Sequence, residues 1–315
     1  MTYAFDPELA PLVELLPAGD LTDVDAARAG IAALIAPLND GVDTAGIDVS
    51  DDAVIGTDAP PVTIRVYAPS GPAPDGGRPA LLDIHGGGFV VGSIDMEHAF
   101  ATQVARELDA VVVVPEYRLA PEHPFPAGLD DCYATLTWIH ERAAALGIDP
   151  ARIGVGGQSA GGGLAAATAL LARDRGGPAL CFQFLGIPEL DHRLTTTSMQ
   201  TFVDTPLWHR ANAVLSWQYY LGMGATEVSP YASPAIATDL AGLPPAYVST
   251  MEFDPLRDEG IVYALRMMEA GVSVELHSYP GTFHGSAMIP TAEVSRRGHA
   301  EVVDALRRGL GAPST

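Results

Sequence analysis

The sequence predicts an α/β fold, with a mostly parallel central sheet covered by helices on both faces. Three observations predict it. Short, continuously apolar, β-branched runs recur, such as VVVV at 111–114, and such runs suit strands buried on both faces. Helix-like segments fall between them, and this alternation marks a covered parallel sheet. A glycine-framed serine joins one such strand, IGV at 153–155, to the helix-like LAAATALLA.

In chain order, residues 7–40 read as helical, with Leu9, Leu12, Val13 and Leu16 on one stripe. Asp23 is placed to cap a helix through Ala33, Leu34 and Ile35 that stops before Pro37. Strand-like runs follow at 62–67, 80–84, 111–114, 153–155, 182–185, 246–249 and 272–279. Helix-like segments lie at 95–108, 127–146, 160–174, 257–270 and 292–310. Residues 69–79, APSGPAPDGGR, read as a surface loop. Segment 188–240 breaks the rhythm; it carries Trp208, Trp217, Tyr219 and Tyr220 and a helix at 209–221. With residues from about 1 to 45, it is expected to cap the carboxyl edge of the sheet. No linker divides the chain, so residues 1–315 are expected to form one domain.

Acids number 39 and bases 17, a net charge of −22, and every base is Arg because the chain has no Lys. Phosphate binding needs a basic stripe, so nucleic acid is excluded as a partner, and anionic membranes are disfavoured. Cys132 and Cys181 form neither a CxxC pair nor a zinc spacing and read as small core residues. The first basic residue is Arg28, so no signal peptide is recognised at the start. No stretch reaches the ~18 apolar residues of a membrane helix. The expected setting is cytoplasmic, without membrane insertion.

Gly157-Gln158-Ser159-Ala160-Gly161 is G-x-S-x-G. Alone it is equally a glycine-rich turn. Its strand–turn–helix context is what a nucleophile elbow requires, because a sharp turn exposes the serine and the glycines let strand and helix approach. The helix amino end then aims free N–H groups at the reacting carbonyl oxygen. His85-Gly86-Gly87-Gly88 follows the strand LLDI and fits an HGGG-type oxyanion loop. Its predicted donors are the N–H groups of Gly86, Gly87 and Ala160. A P-loop is excluded, since there is no G-x-x-x-x-G-K-[ST] and no Lys. His85 is expected to brace this loop rather than transfer protons.

For such an elbow the chain order is Ser, then Asp or Glu, then His, each on a loop after a strand. His284, in PGTFHGS directly after the 272–279 strand, is the best base. His192 and His209 lie in the insertion, His277 inside the strand and His299 in the last helix. Asp254 is the chosen acid, since Pro255 biases it away from helix. Glu252 is a reserve, while Asp258 and Glu259 suit the first helical turn. Ser159 would attack an ester carbonyl, His284 accept its proton and Asp254 orient the imidazole. Zinc hydrolysis is unsupported, because His140-Glu141 does not continue to HExxH.

At these residues the chain resembles the hormone-sensitive-lipase-like family of α/β-hydrolases, closest to its bacterial heroin esterase branch. The match includes HGGGFVVGS (85–93), YRLAPEHPFPA (117–127), SPYASP (229–234), DPLRDEG (254–260) and the FHG around His284. The resemblance implies an α/β-hydrolase fold with a helical cap and serine carboxylesterase activity on short or medium acyl chains, short ones being the expectation here, with no cofactor. Within its branch it implies acetyl esters of bulky alcohols, and a homodimer is common in the family. Gln158 departs from the Asp that many members carry before the serine, so the local hydrogen bonding must differ. Phe89, Trp208 and Phe283 are candidate substrate-binding residues. An amidase or lactone hydrolase on the same triad is the alternative chemistry, and a non-catalytic binding module would lack a triad member. A lipase would need an apolar lid surface, for which Met96, Phe100, Trp208, Trp217 and Tyr220 are candidates.

Overall fold

The protein is described by a computed structural model over residues 3–16, 19–54 and 60–312. Its strands are β1 (Ile47–Val54), β2 (Val62–Pro69), β3 (Arg78–Ile84), β4 (Val111–Pro115), β5 (Ile148–Gln158), β6 (Phe182–Gly186), β7 (Ala246–Phe253) and β8 (Val274–Phe283). They form one eight-stranded sheet in the order β1-β2-β4-β3-β5-β6-β7-β8. β2 runs antiparallel to both β1 and β4, and every pair from β4 to β8 is parallel.

Alternate side chains of each central strand feed opposite faces. Leu81, Val112 and Phe184 pack under α2 (His98–Leu108) and α8 (Glu293–Gly309). Leu82, Val113, Val155 and Val248 pack under α3 (Ala127–Glu141), α4 (Ala160–Arg175) and α7 (Arg257–Glu269). All five residues of β4 are buried, which is why that strand reads as an unbroken apolar run.

Several elements differ from expectation. β1, IDVSDDAV, is an edge strand buried only at its two ends; with one neighbour and acids facing water, it carries no apolar alternation to announce it. The first helical stretch is a 3₁₀ turn at Ala10–Leu15, and α1 spans Val24–Asn39. Asp23 does cap α1, accepting the Ala26 N–H at 3.0 Å. The helix runs on through Pro37 to Asn39, although that proline forfeits the bond to the Ala33 carbonyl. α3 ends at Glu141 rather than 146. Insertion 188–240 holds a short helix, α5 (Thr197–Thr201), that was not anticipated, and α6 (Arg210–Leu221).

The amino-terminal segment and the insertion meet over the 85–93 loop. Leu21, Met199, Trp208 and Ala213 form one apolar cluster with Val90, Val91 and Ala120. Arg28 Nε donates to the Val90 carbonyl at 2.9 Å, and Asn212 Nδ2 donates to the Gly19 carbonyl at 2.7 Å. Trp208, Trp217 and Tyr220 are buried, so they offer no apolar lid surface to a lipid; each finds more contact area inside than at the surface. Among the described residues no helix is long and apolar enough to cross a membrane.

Candidate active site

The turn between β5 and α4 puts Ser159 at φ 57° and ψ −123°, a conformation costly for a residue with a Cβ. The chain around it is packed too closely for anything but glycine. A Cβ on Gly161 would lie 2.0 Å from the Ile84 carbonyl oxygen, and one on Gly157 2.4 Å from the same atom. Backbone bonds hold the turn: Ser159 N–H donates to the Gly186 carbonyl at 2.8 Å, and the Ser159 carbonyl accepts Glu189 N–H at 3.0 Å.

His284 follows β8 and Asp254 follows β7, two strands that are neighbours in the sheet. Ser159 Oγ is 2.9 Å from His284 Nε2, and His284 Nδ1 is 2.8 Å from Asp254 Oδ2. Because an ionised carboxylate only accepts, the Nδ1 proton faces Asp254 and leaves Nε2 free to take the serine proton. The other carboxylate oxygen of Asp254 accepts Leu256 N–H at 2.8 Å. Asp254 is fully buried, and Ser159 and His284 are each 7% exposed.

The reserve acid, Glu252, instead accepts Gly281 N–H at 2.6 Å and so pins the loop that carries His284. Asp258 accepts Ser198 N–H, and Glu259 accepts Leu190 and Asp191 N–H. His277 lies between Glu275 and Glu301, 3.0 Å from each.

Gly86 closes on the elbow, where a Cβ would sit 3.4 Å from that of Ser159. Among the described residues nothing accepts the N–H groups of Gly86, Gly87 or Ala160, so these three donors stand open. His85 braces the loop. Its Nδ1 lies 2.8 Å from the Gly86 carbonyl oxygen, and its ring stacks on Tyr117 at 4.2 Å. Since a carbonyl only accepts, the Nδ1 proton is committed to the loop. Burial pulls the His85 pKa down to about 4, so the ring is neutral near neutral pH.

Of the three candidate substrate contacts, Trp208 packs its ring against that of His284. Its ring centroid is 5.8 Å from that of His284, and its edge would lie 2.4 Å from a Cβ on Gly88. Phe89 is buried and stacks on Tyr220 at 4.0 Å, forming part of the loop's backing. Phe283 is fully buried with Leu9, Ile187, Met251 and Tyr279. It therefore presents no surface to a substrate, because the amino-terminal segment folds onto this end of β8 and places Phe5 against it at 5.2 Å.

Sequence reasoning missed Glu189 and Ser216, whose fully buried side chains meet at 2.9 Å beside the glycine loop. An acid directly after the apolar FQFLGIP run was the available signal for Glu189. Nothing local marks Ser216, whose place depends on how α6 docks.

Comparison with known proteins agrees with this geometry. Residues 81–288 match the family described as alpha/beta hydrolase fold. The solved bacterial heroin esterase is 56% identical, with a TM-score of 0.95 over 98% of each chain. Carboxylesterase NlhH of Mycobacterium tuberculosis is 43% identical over 80% of this chain and 79% of its own. Ethyl acetate hydrolase of Pseudomonas putida is 32% identical over 98% of this chain and 100% of its own. Relatives named for ester hydrolysis thus surround a sequence whose serine, histidine and aspartate are hydrogen-bonded in line. The chain belongs to the α/β-hydrolase fold family, in its hormone-sensitive-lipase-like branch, and it is a carboxylic ester hydrolase.

Proposed function

We propose that Ser159, His284 and Asp254 are the catalytic triad and that Gly86, Gly87 and Ala160 supply the oxyanion hole. The observation that carries this reading is the unbroken hydrogen-bond line at 2.9 and 2.8 Å. Ser159 Oγ attacks the ester carbonyl as His284 Nε2 takes its proton. The tetrahedral oxygen draws on the three open N–H groups, each worth about 3 kcal/mol of barrier. His284 then protonates the leaving alkoxide, and water hydrolyses the acyl-enzyme by the same base.

Within the expected cap, residues from about 1 to 45 and from about 188 to 240, the described residues 3–16, 19–45 and 188–240 cover this site; residues 1, 2, 17 and 18 lie outside the described residues. Trp208 lies against both Gly88 and His284, which favours a confined acyl pocket. The preferred substrates are therefore short acyl esters, acetyl above all, and the likeness to a heroin esterase favours a bulky alcohol. Initial rates on p-nitrophenyl esters from acetyl to palmitoyl test this, with wild type beside Ser159→Ala. The wild-type rate should peak at the shortest chains and vanish in the folded variant. A peak at long chains would overturn the acyl assignment, and a Ser159→Ala enzyme that kept its rate would overturn the nucleophile.

A further inference from the structure

The oxyanion loop is held from behind by a carboxylic acid outside the triad. The Gly88 carbonyl accepts the Ser216 hydroxyl at 2.9 Å, and the same hydroxyl oxygen lies 2.9 Å from Glu189 Oε1. Ser216 and Glu189 are both fully buried. A serine hydroxyl carries one hydrogen, and a carbonyl can only accept. If that hydrogen goes to Gly88, the second contact is a bond only when Glu189 brings the hydrogen, which requires the neutral acid.

The surroundings favour that form. Among the described residues no guanidinium bonds to Glu189. The ionisable groups facing it are Asp254 beyond β7, Glu259 on α7 and Tyr220 on α6, none of them a cation. Arg193, the nearest arginine along the chain, is engaged by Asp191 at 2.7 Å, and His192 is turned to Ser233, with Nδ1 3.0 Å from its Oγ. Burial pushes the Glu189 carboxyl up to about 8; the Ser216 contact opposes that rise and Asp254 adds to it.

We infer that neutral Glu189, acting through Ser216, is a positioning residue that sets the oxyanion loop at Gly88; this rests on Gly86 and Gly87 being oxyanion donors. On ionisation Glu189 becomes the stronger acceptor and draws the Ser216 hydrogen to itself. The Gly88 carbonyl then faces a lone pair. Gly88 sits at φ 57°, and losing the Ser216 tether releases the segment that carries the Gly86 and Gly87 N–H groups. Only the transition state uses those groups fully, so kcat falls while KM holds.

The test is kcat and KM for p-nitrophenyl acetate from about pH 6 to about pH 10, corrected for buffer hydrolysis, in wild type and three variants. Wild-type kcat should fall above pH 8, by about tenfold at the top of the range, with KM changed less than about twofold. Glu189→Ala should lose about tenfold at neutral pH, and Glu189→Gln should recover most of that loss. The glutamine amide donates to Ser216 at every pH, so the Glu189→Gln profile should stay level. Ser216→Ala should lower kcat and also lose the alkaline break. A fall in Glu189→Gln as steep as in wild type, a level wild-type profile, or a glutamine variant no better than the alanine would each overturn the brace. Ser159→Ala separates the two readings. If it is inactive while the alkaline limb ignores Glu189, the triad stands and only the brace fails.

Discussion

At the scale of single residues, two histidines show how position decides chemistry. His284 Nδ1 is tied to a buried carboxylate and its Nε2 faces the serine. His277 is partly exposed and shared between two acids on the protein's flank. His284→Ala should therefore cost on the order of 10⁴-fold or more in kcat, while His277→Ala should leave kcat close to wild type and lower Tm by a few degrees. Steady-state rates beside a thermal melt check both, and a large kcat loss in His277→Ala would contradict the assignment. The hydrogen-bonded set Ser159, His284 and Asp254 was legible because each member follows an apolar strand and has turn-forming neighbours, Gly161, Pro255 and Gly285. Phe283 was misjudged because its sequence neighbour is the base. Its surroundings depend on an amino-terminal segment nearly the whole chain away, which no local pattern reports.

At the scale of elements, α3 is anchored by one ion pair. Asp131, 1% exposed, takes a two-pronged bond from the Arg118 guanidinium and a third from the Arg118 N–H at 2.9 Å. This ties the helix to the loop after β4, which also supplies Tyr117 to stack on His85. Removing one partner of such a pair strands the other. Asp131→Ala should destabilise the fold by about 3 kcal/mol, the low end for a buried pair because Arg118 is partly wet. Urea unfolding checks it, and a loss under ~1 kcal/mol would show that the tether is not needed. Strands buried on both faces announced themselves in the sequence. The acidic edge strand β1 did not, since an edge facing water needs no apolar period. The helix through Pro37 was cut short in reading because proline is a statistical stop, yet α1 ends only two residues beyond it.

For the whole molecule, the surplus of 22 negative charges has no bearing on which fold forms but weighs on how firmly it holds. Unfolding separates like charges, and salt screens them within about 10 Å at 0.1 M. The melting temperature should rise by several degrees between about 0.01 and 0.5 M NaCl. A flat or falling response by scanning calorimetry would mean that the arginine pairs, which salt weakens, outweigh the repulsion.

The order of strands in the sheet also has a meaning in time. Ser159 and the glycine loop follow β5 and β3, near the middle, but Asp254 and His284 follow β7 and β8, at the far edge. A ribosome that has released everything through β6 has made the serine and no base to deprotonate it. On the triad proposed above, hydrolysis cannot begin on a nascent chain until the last two parallel strands have threaded into place. The cell is spared a half-made esterase, and turnover becomes a reporter of completed folding.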